Sequence, residues 1–171
     1  LRSLFPKLDI VGGITLNRSV GGINPQAVER TAQMGGKMLW FPTLEARSYQ
    51  QYRHSNDGMD VSQFLSVFSD DGNLLPEVYQ ALKIAAEYNM VVGTGHLSSQ
   101  EGLAVVRAAR ECGVEHVVLT HADNPANEYS LEEQYQAVQE GAMVEHCYFT
   151  SYYQRTPIEV IAQQIQHVGC K

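Results

Sequence analysis

The chain has 171 residues, with 12 Lys+Arg against 19 Asp+Glu and a formal net charge of −7. That length and a hydrophobic content of 44% suit a single domain, residues 1–171, with a full core. The acidic balance, without any Lys/Arg cluster, argues against a nucleic-acid or anionic-membrane partner. No apolar run reaches the roughly 18–20 residues of a membrane span, and three cysteines without CxxC spacing read as reduced thiols of a cytoplasmic protein.

The sequence opens without Met, and Leu1–Pro6 reads as neither a signal peptide nor a helix start; both ends look cut. Ile10–Leu16 is apolar and β-branched and reads as a buried strand. Asn24 follows as an N-cap with Pro25 at the first helical position, where its missing N–H costs nothing. Val28 and Ala32 mark that helix's buried face, and Gly35-Gly36 stops it. Met38–Phe41 is the second strand, closed by Pro42. From Thr43 to Ser69 the chain is polar and irregular, too long for an ordinary connection, and reads as a lid-like insertion at about 43–69. Within it Phe64–Phe68 reads as a small strand. Leu74–Tyr88 carries Val78, Leu82 and Ala85 at helical spacing and ends at Asn89.

The second half is more regular. Met90–Thr94 is a strand running into Gly95-His96, and Ser98 with Glu101 forms a capping box for a helix to about Arg110. Val117–Thr120 runs into His121, and Ser130 with Glu133 makes a second capping box for a helix to Glu140. Met143–Phe149 reads as a strand carrying Glu145-His146-Cys147. Thr156, Pro157 and Glu159 open a last helix with Ile158, Ile161 and Ile165 as its apolar stripe and Gly169 as its stop. Five β→α units predict an α/β fold with a parallel sheet, either open and doubly wound or an arc of a barrel. A complete eight-unit barrel needs about 250 residues.

In parallel α/β folds the working residues stand at the carboxyl ends of the strands. His96 and His121 end successive strands, and neighbouring strands lie about 4.8 Å apart. Their imidazoles can therefore converge on one divalent ion. Glu145 and His146 lie toward the end of the next strand on opposite faces, so at most one of them joins that pair. Cys147 reads as core. His54 reads as solvated, His116 stands at a strand start, and His167 sits in a last helical turn that favours imidazolium. Asn17 and Arg18 after the first strand, with Arg47 and Arg53 in the insertion, are the candidate substrate contacts, because guanidinium pairs bidentately with carboxylate or phosphate. The Val20–Pro25 turn sets backbone N–H groups at a helix N-terminus; no P-loop or GxSxG elbow is present.

Taken together, Gly12–Pro25, Leu39–Thr43, Gly93–His96, Leu119–His121 and Val144–Cys147 resemble a poorly characterised family of the amidohydrolase superfamily. The resemblance runs through almost the whole chain. It implies most of a TIM-type (β/α)₈ barrel, the third to seventh strands, with the first and last strands outside this sequence. It also implies a metal centre holding zinc, or iron or manganese, with His96 as the fifth-strand ligand and His121 as the sixth-strand ligand and catalytic residue. Glu145 or His146 would add to that set, and Glu45 stands just past the strand where some members place a bridging group. The superfamily's HxH pair and eighth-strand Asp do not occur here. The implied activity is a metal-dependent hydrolase in which metal-activated water attacks a carbonyl or phosphoryl centre of a small molecule, with decarboxylase or lyase chemistry as a variant. The rival reading is a non-catalytic α/β binding or assembly module, whose open strand edges and apolar inner face would drive homo-oligomerisation.

Overall fold

The computed structural model describes Leu4 and residues 7–127, 129–154 and 156–169. The expectation for Leu1–Pro6 and the thiol of Cys170 lie outside these, apart from Leu4. The elements follow the anticipated alternation: β1 Gly13–Thr15, α1 Pro25–Gln33, β2 Met38–Trp40, α2 Arg47–Arg53, α3 Pro76–Glu87, β3 Val91–Gly93, α4 Ser99–Glu111, β4 His116–Leu119, α5 Leu131–Gln139, β5 Met143–Val144, α6 Tyr148–Gln154 and α7 Ile158–Val168.

All five strands pair in parallel in the order β1-β2-β3-β4-β5. The order contains no reversal, the feature that defines a doubly wound sheet. The helices keep the same sequence as the strands, with α1 against α3, α3 against α4, α4 against α5 and α5 against α7. They form one layer over one face of the sheet. Ile14, Leu39, Val92 and Val117 share a register line across the first four strands and are buried under that layer. They meet Val28 and Ala32 of α1, Val78, Leu82 and Ala85 of α3, and Val105 and Ala109 of α4. At about 25 cal/mol per Å² of apolar surface, this interface supplies most of the driving force for the fold.

The opposite face carries Gly13, Met38, Trp40, Gly93 and Val118, by strand alternation. The Trp40 ring lies across the sheet between the two glycines. A Cβ at Gly13 would come within 3.0 Å of Trp40 Cζ3, and one at Gly93 within 2.7 Å of Trp40 Cδ1. Small residues on either side therefore let the indole lie flat along the sheet.

The sequence signals for the helix starts hold in atomic detail. Asn24 Oδ1 accepts from the N–H groups of Gln26 and Ala27 at 3.1 and 3.3 Å. Both capping boxes are formed, Ser98 with Glu101 and Ser130 with Glu133. Each box glutamate also reaches back to the preceding part of the chain. Glu101, buried, accepts from Ser66 Oγ at 2.6 Å and from the Val67 N–H at 3.3 Å. Glu133 accepts from Ser99 Oγ at 2.7 Å. Each carboxylate thus caps the start of its helix and ties it to an earlier segment of the chain.

Three expectations are corrected. Phe64–Phe68 makes only isolated bridges, Ala46 with Leu65 and Phe68 with Leu74, because it pairs with Ala46 of the insertion and with Leu74 just beyond it rather than with the sheet. The insertion is not irregular throughout, since it contains α2. The strand expected over Met143–Phe149 ends at Val144, and the aromatic segment after it turns into α6.

Glu101→Ala should lower stability by about 2–3 kcal/mol in urea unfolding, because a cap and two buried hydrogen bonds are lost together. It should also open residues 43–69 to limited proteolysis. An unchanged cleavage pattern would show that the tether to Ser66 and Val67 is not what holds the insertion.

Candidate functional site

The carboxyl ends of β3 and β4 are joined by hydrogen bonds that involve short side chains. The Thr120 N–H donates to Thr94 Oγ1 at 3.0 Å, and the Gly95 N–H donates to Thr120 Oγ1 at 3.2 Å. Asn127, fully buried in the loop after β4, donates from Nδ2 to the Thr120 carbonyl at 2.8 Å and to the carbonyls of Gly95 and His121 at 3.4 Å each. These bonds fix the residues on which both candidate ligands stand. Gly95 has φ +63, and a Cβ there would collide with the Phe41 carbonyl.

The backbone then turns His121 out of the strand pattern. Alternation continued past Leu119 would put residue 121 on the helix side with Val117 and Leu119. His121 instead has φ 48, a left-handed conformation that costs a non-glycine residue roughly 1–2 kcal/mol. Its ring centroid lies 5.9 Å from that of His96. Both rings line one cavity of about 270 Å³, shared with Leu44, Tyr49, Asn124, Cys147, Phe149 and Thr150.

The two rings are electrostatically coupled. Burial, then the nearby His121, hold the His96 imidazole down at about 4 against an ordinary 6.5, while the Thr43 carbonyl pulls the other way. His96 is therefore neutral at pH 7. Nδ1 of His96 and Nδ1 of His121 are both buried without a hydrogen-bond partner. Two unpartnered imidazole nitrogens about one cavity fit a divalent cation. Zn–N bonds of about 2.0–2.1 Å at a tetrahedral angle put ring centroids roughly 5–6 Å apart. Among the described residues, no cluster of three or more His, Cys, Asp or Glu side chains could hold a metal.

The other candidate residues are distributed around this pair. Glu145 stands beside it: its Oε2 accepts from the His121 N–H at 3.2 Å and lies 3.5 Å from His121 Nδ1. His146 does not join it. Its Nδ1 lies 3.3 Å from Asp123 Oδ1, and it lines a separate cavity of about 800 Å³ with Val138, Val144, Ile165 and Val168. Burial alone would raise the Asp123 carboxyl, but the bonds from His146, its own backbone, Thr150 and Cys147 hold it below the ordinary carboxylate range. Cys147, expected in the core, lines the histidine cavity because the chain has left the strand by then.

The candidate substrate contacts fall on the insertion's supports. Asn17 Nδ2 donates to Thr43 Oγ1 at 2.9 Å, and the Thr43 N–H donates back to Asn17 Oδ1 at 3.1 Å. Arg18 donates from Nη2 to the Gln63 carbonyl, and its Nε lies 3.9 Å from Glu45 Oε1. Glu45 Oε2 also accepts from the Arg18 N–H at 2.6 Å, so this carboxylate serves the insertion. Arg47 donates to the Ser62 carbonyl at 3.2 Å, and Arg53 is exposed at the end of α2. Two contacts missed in the sequence come from the same helix: Ser48 Oγ donates to the His96 carbonyl at 2.9 Å, and the Tyr49 ring lies 4.7 Å from the His96 ring. The polar run Arg47–Arg53 gave no apolar periodicity by which to place them.

Over residues 1–145 the chain matches the model of a family described as "Family of unknown function (DUF6282)", and it belongs to that family. No curated protein matches the chain, and no solved structure does. Among the described residues no helix is long and apolar enough to cross a membrane.

Asn127→Ala should cost about 2–3 kcal/mol, since three strand-end carbonyls lose a buried donor. It should also move the imidazole NMR signals of both His96 and His121; signals that stay in place would remove Asn127 from the support of the pair. The depressed His96 value sets a pH dependence. The unfolded chain binds a proton at about 6.5 and the folded chain only near 4, so this group's contribution to stability is full above about 6.5 and is lost as pH falls toward 4. His96→Gln should flatten the stability profile across that window in metal-free protein, and an unaltered slope would contradict the assignment.

Proposed function

We propose that this member of the DUF6282 family is a metal-dependent hydrolase of the amidohydrolase type, acting on a small molecule, in which His96 and His121 hold a divalent cation. Zinc is the first choice, with iron or manganese as alternatives. The observation that carries the reading is the meeting of two imidazoles in one cavity at the carboxyl ends of adjacent parallel strands. A single helical layer over an unreversed sheet supports reading the chain as an arc of a (β/α)₈ barrel, the fold whose strand ends carry such centres.

When bound, the cation lowers the pKa of its water toward about 7 and makes hydroxide available at neutral pH. The chain's own residues prepare for this. His96 stays neutral, so its nitrogen lone pair is free for coordination. Glu145 Oε2 accepts from the His121 backbone N–H and stands 3.5 Å from His121 Nδ1, so its carboxylate lies beside the place where the pair would hold a cation. Stabilisation of the developing oxyanion would fall to the cation or to His121 at the cavity wall. The Tyr49 and Ser48 contacts hold α2 against the site, where it excludes water from the His96 side. Cytoplasmic location and self-association complete the proposal.

The second reading, an assembly module without catalysis, is favoured by the half-buried sheet face around Trp40 and Met38. Metal analysis separates the two. Purified protein should carry zinc, iron or manganese near one equivalent, and His96→Ala with His121→Ala should reduce it to background while leaving the circular dichroism spectrum unchanged. Metal retained in the double variant would contradict the site, and metal absent from the parent protein after incubation with zinc would favour the assembly module.

A further inference from the structure

We infer that the cavity about His96 and His121 takes a neutral molecule carrying a single aromatic ring, with Tyr49 and Phe149 as the side chains that select it. The inference rests on the reading of that histidine pair as the reacting centre and adds a substrate class to it. Its first support is the wall. Leu44, Tyr49, Cys147 and Phe149 present apolar or weakly polar surface, and Asn124 and Thr150 supply neutral polar groups. Such a lining, with few polar groups, is the pattern of small-molecule sites.

The second support is size. An apolar cavity of about 150 Å³ holds benzene. The present cavity of about 270 Å³ therefore accepts one ring with a small polar substituent and leaves no space for a second ring.

The third support is charge. No Lys or Arg lines the cavity among the described residues. Two of the arginines considered as anion contacts have partners elsewhere: Arg18 serves Glu45 and the Gln63 carbonyl, and Arg47 serves the Ser62 carbonyl. Glu145 adds negative charge beside His121. Among the described lining residues a phosphate or carboxylate group meets no guanidinium, whereas a neutral ring meets aromatic walls. Phe149 is 54% exposed in the protein, so an occupied site would also cover a large apolar surface that is otherwise wet.

The test is an NMR titration of the metal-free protein with acetophenone, benzoate, acetone and inorganic phosphate in turn. Acetophenone should shift the His96 and Tyr49 signals and bind about tenfold more tightly than benzoate or acetone, with phosphate weakest. Phe149→Ala should weaken acetophenone about tenfold. Phe149 is half-exposed, so the variant should fold; Tyr49→Leu serves as the second variant and should weaken it similarly. Tighter binding of benzoate or phosphate, or undiminished acetophenone binding in both variants, would overturn the inference. The outcome is separable from the hydrolase reading. Ring preference without metal binding counts against the hydrolase alone, and metal binding without ring preference counts against the substrate class alone.

Discussion

The site depends on a set of hydrogen bonds that binds the ends of two strands to each other. Thr94, Thr120 and Asn127 exchange donors and acceptors across β3 and β4, and they do so out of contact with water. Buried amide and hydroxyl groups that lose such partners incur a desolvation penalty of about 1–3 kcal/mol each, so the strand ends have little freedom to drift apart. This rigidity sustains the left-handed backbone at His121. Without it, the imidazole would follow the strand's alternation beneath the helices. Strained backbone that the surroundings over-determine is a common mark of working residues, and here it turns the ring toward the neighbouring histidine.

Burial gives the arrangement its electrostatic character. A charged pair of imidazolium groups at this separation would repel, and the low-dielectric wall makes that repulsion stronger. His96 answers by staying neutral far below the usual range. A neutral imidazole without a hydrogen-bond partner has a lone pair to give. The same environment thus destabilises the protonated protein in acid and prepares the ring for a cation at neutral pH. The insertion contributes to this environment through Tyr49 and the Thr43 carbonyl, and Arg18, Asn17 and Glu101 hold it there.

Much of the architecture could be read before any coordinates. The capping boxes at Ser98 and Ser130, the Asn24-Pro25 start, the Gly35-Gly36 and Gly169 stops and Asn89 marked the repeating units, because each answers a local need of the helix end that distant packing rarely overrides. The position of His96 and His121 at strand ends followed from the same alternation. What stayed hidden was set by long-range contacts. Nothing local distinguishes Asn127 from an ordinary loop asparagine, yet it reaches three carbonyls in two different connections. The Tyr148–Gln154 segment is aromatic and resembles a strand by propensity, but the chain had already left the sheet, and α6 formed there. Arg18 looked available to an anion because its partners, Glu45 and Gln63, are far away in sequence.

The central claim is that one cation is shared by residues 96 and 121. Cadmium NMR on protein with nitrogen-labelled histidine tests it most directly, since scalar coupling passes only through a coordinate bond. The account predicts a single cadmium resonance coupled to one ring nitrogen of each of the two residues. A cadmium resonance coupled to neither of them, or to only one, would contradict it.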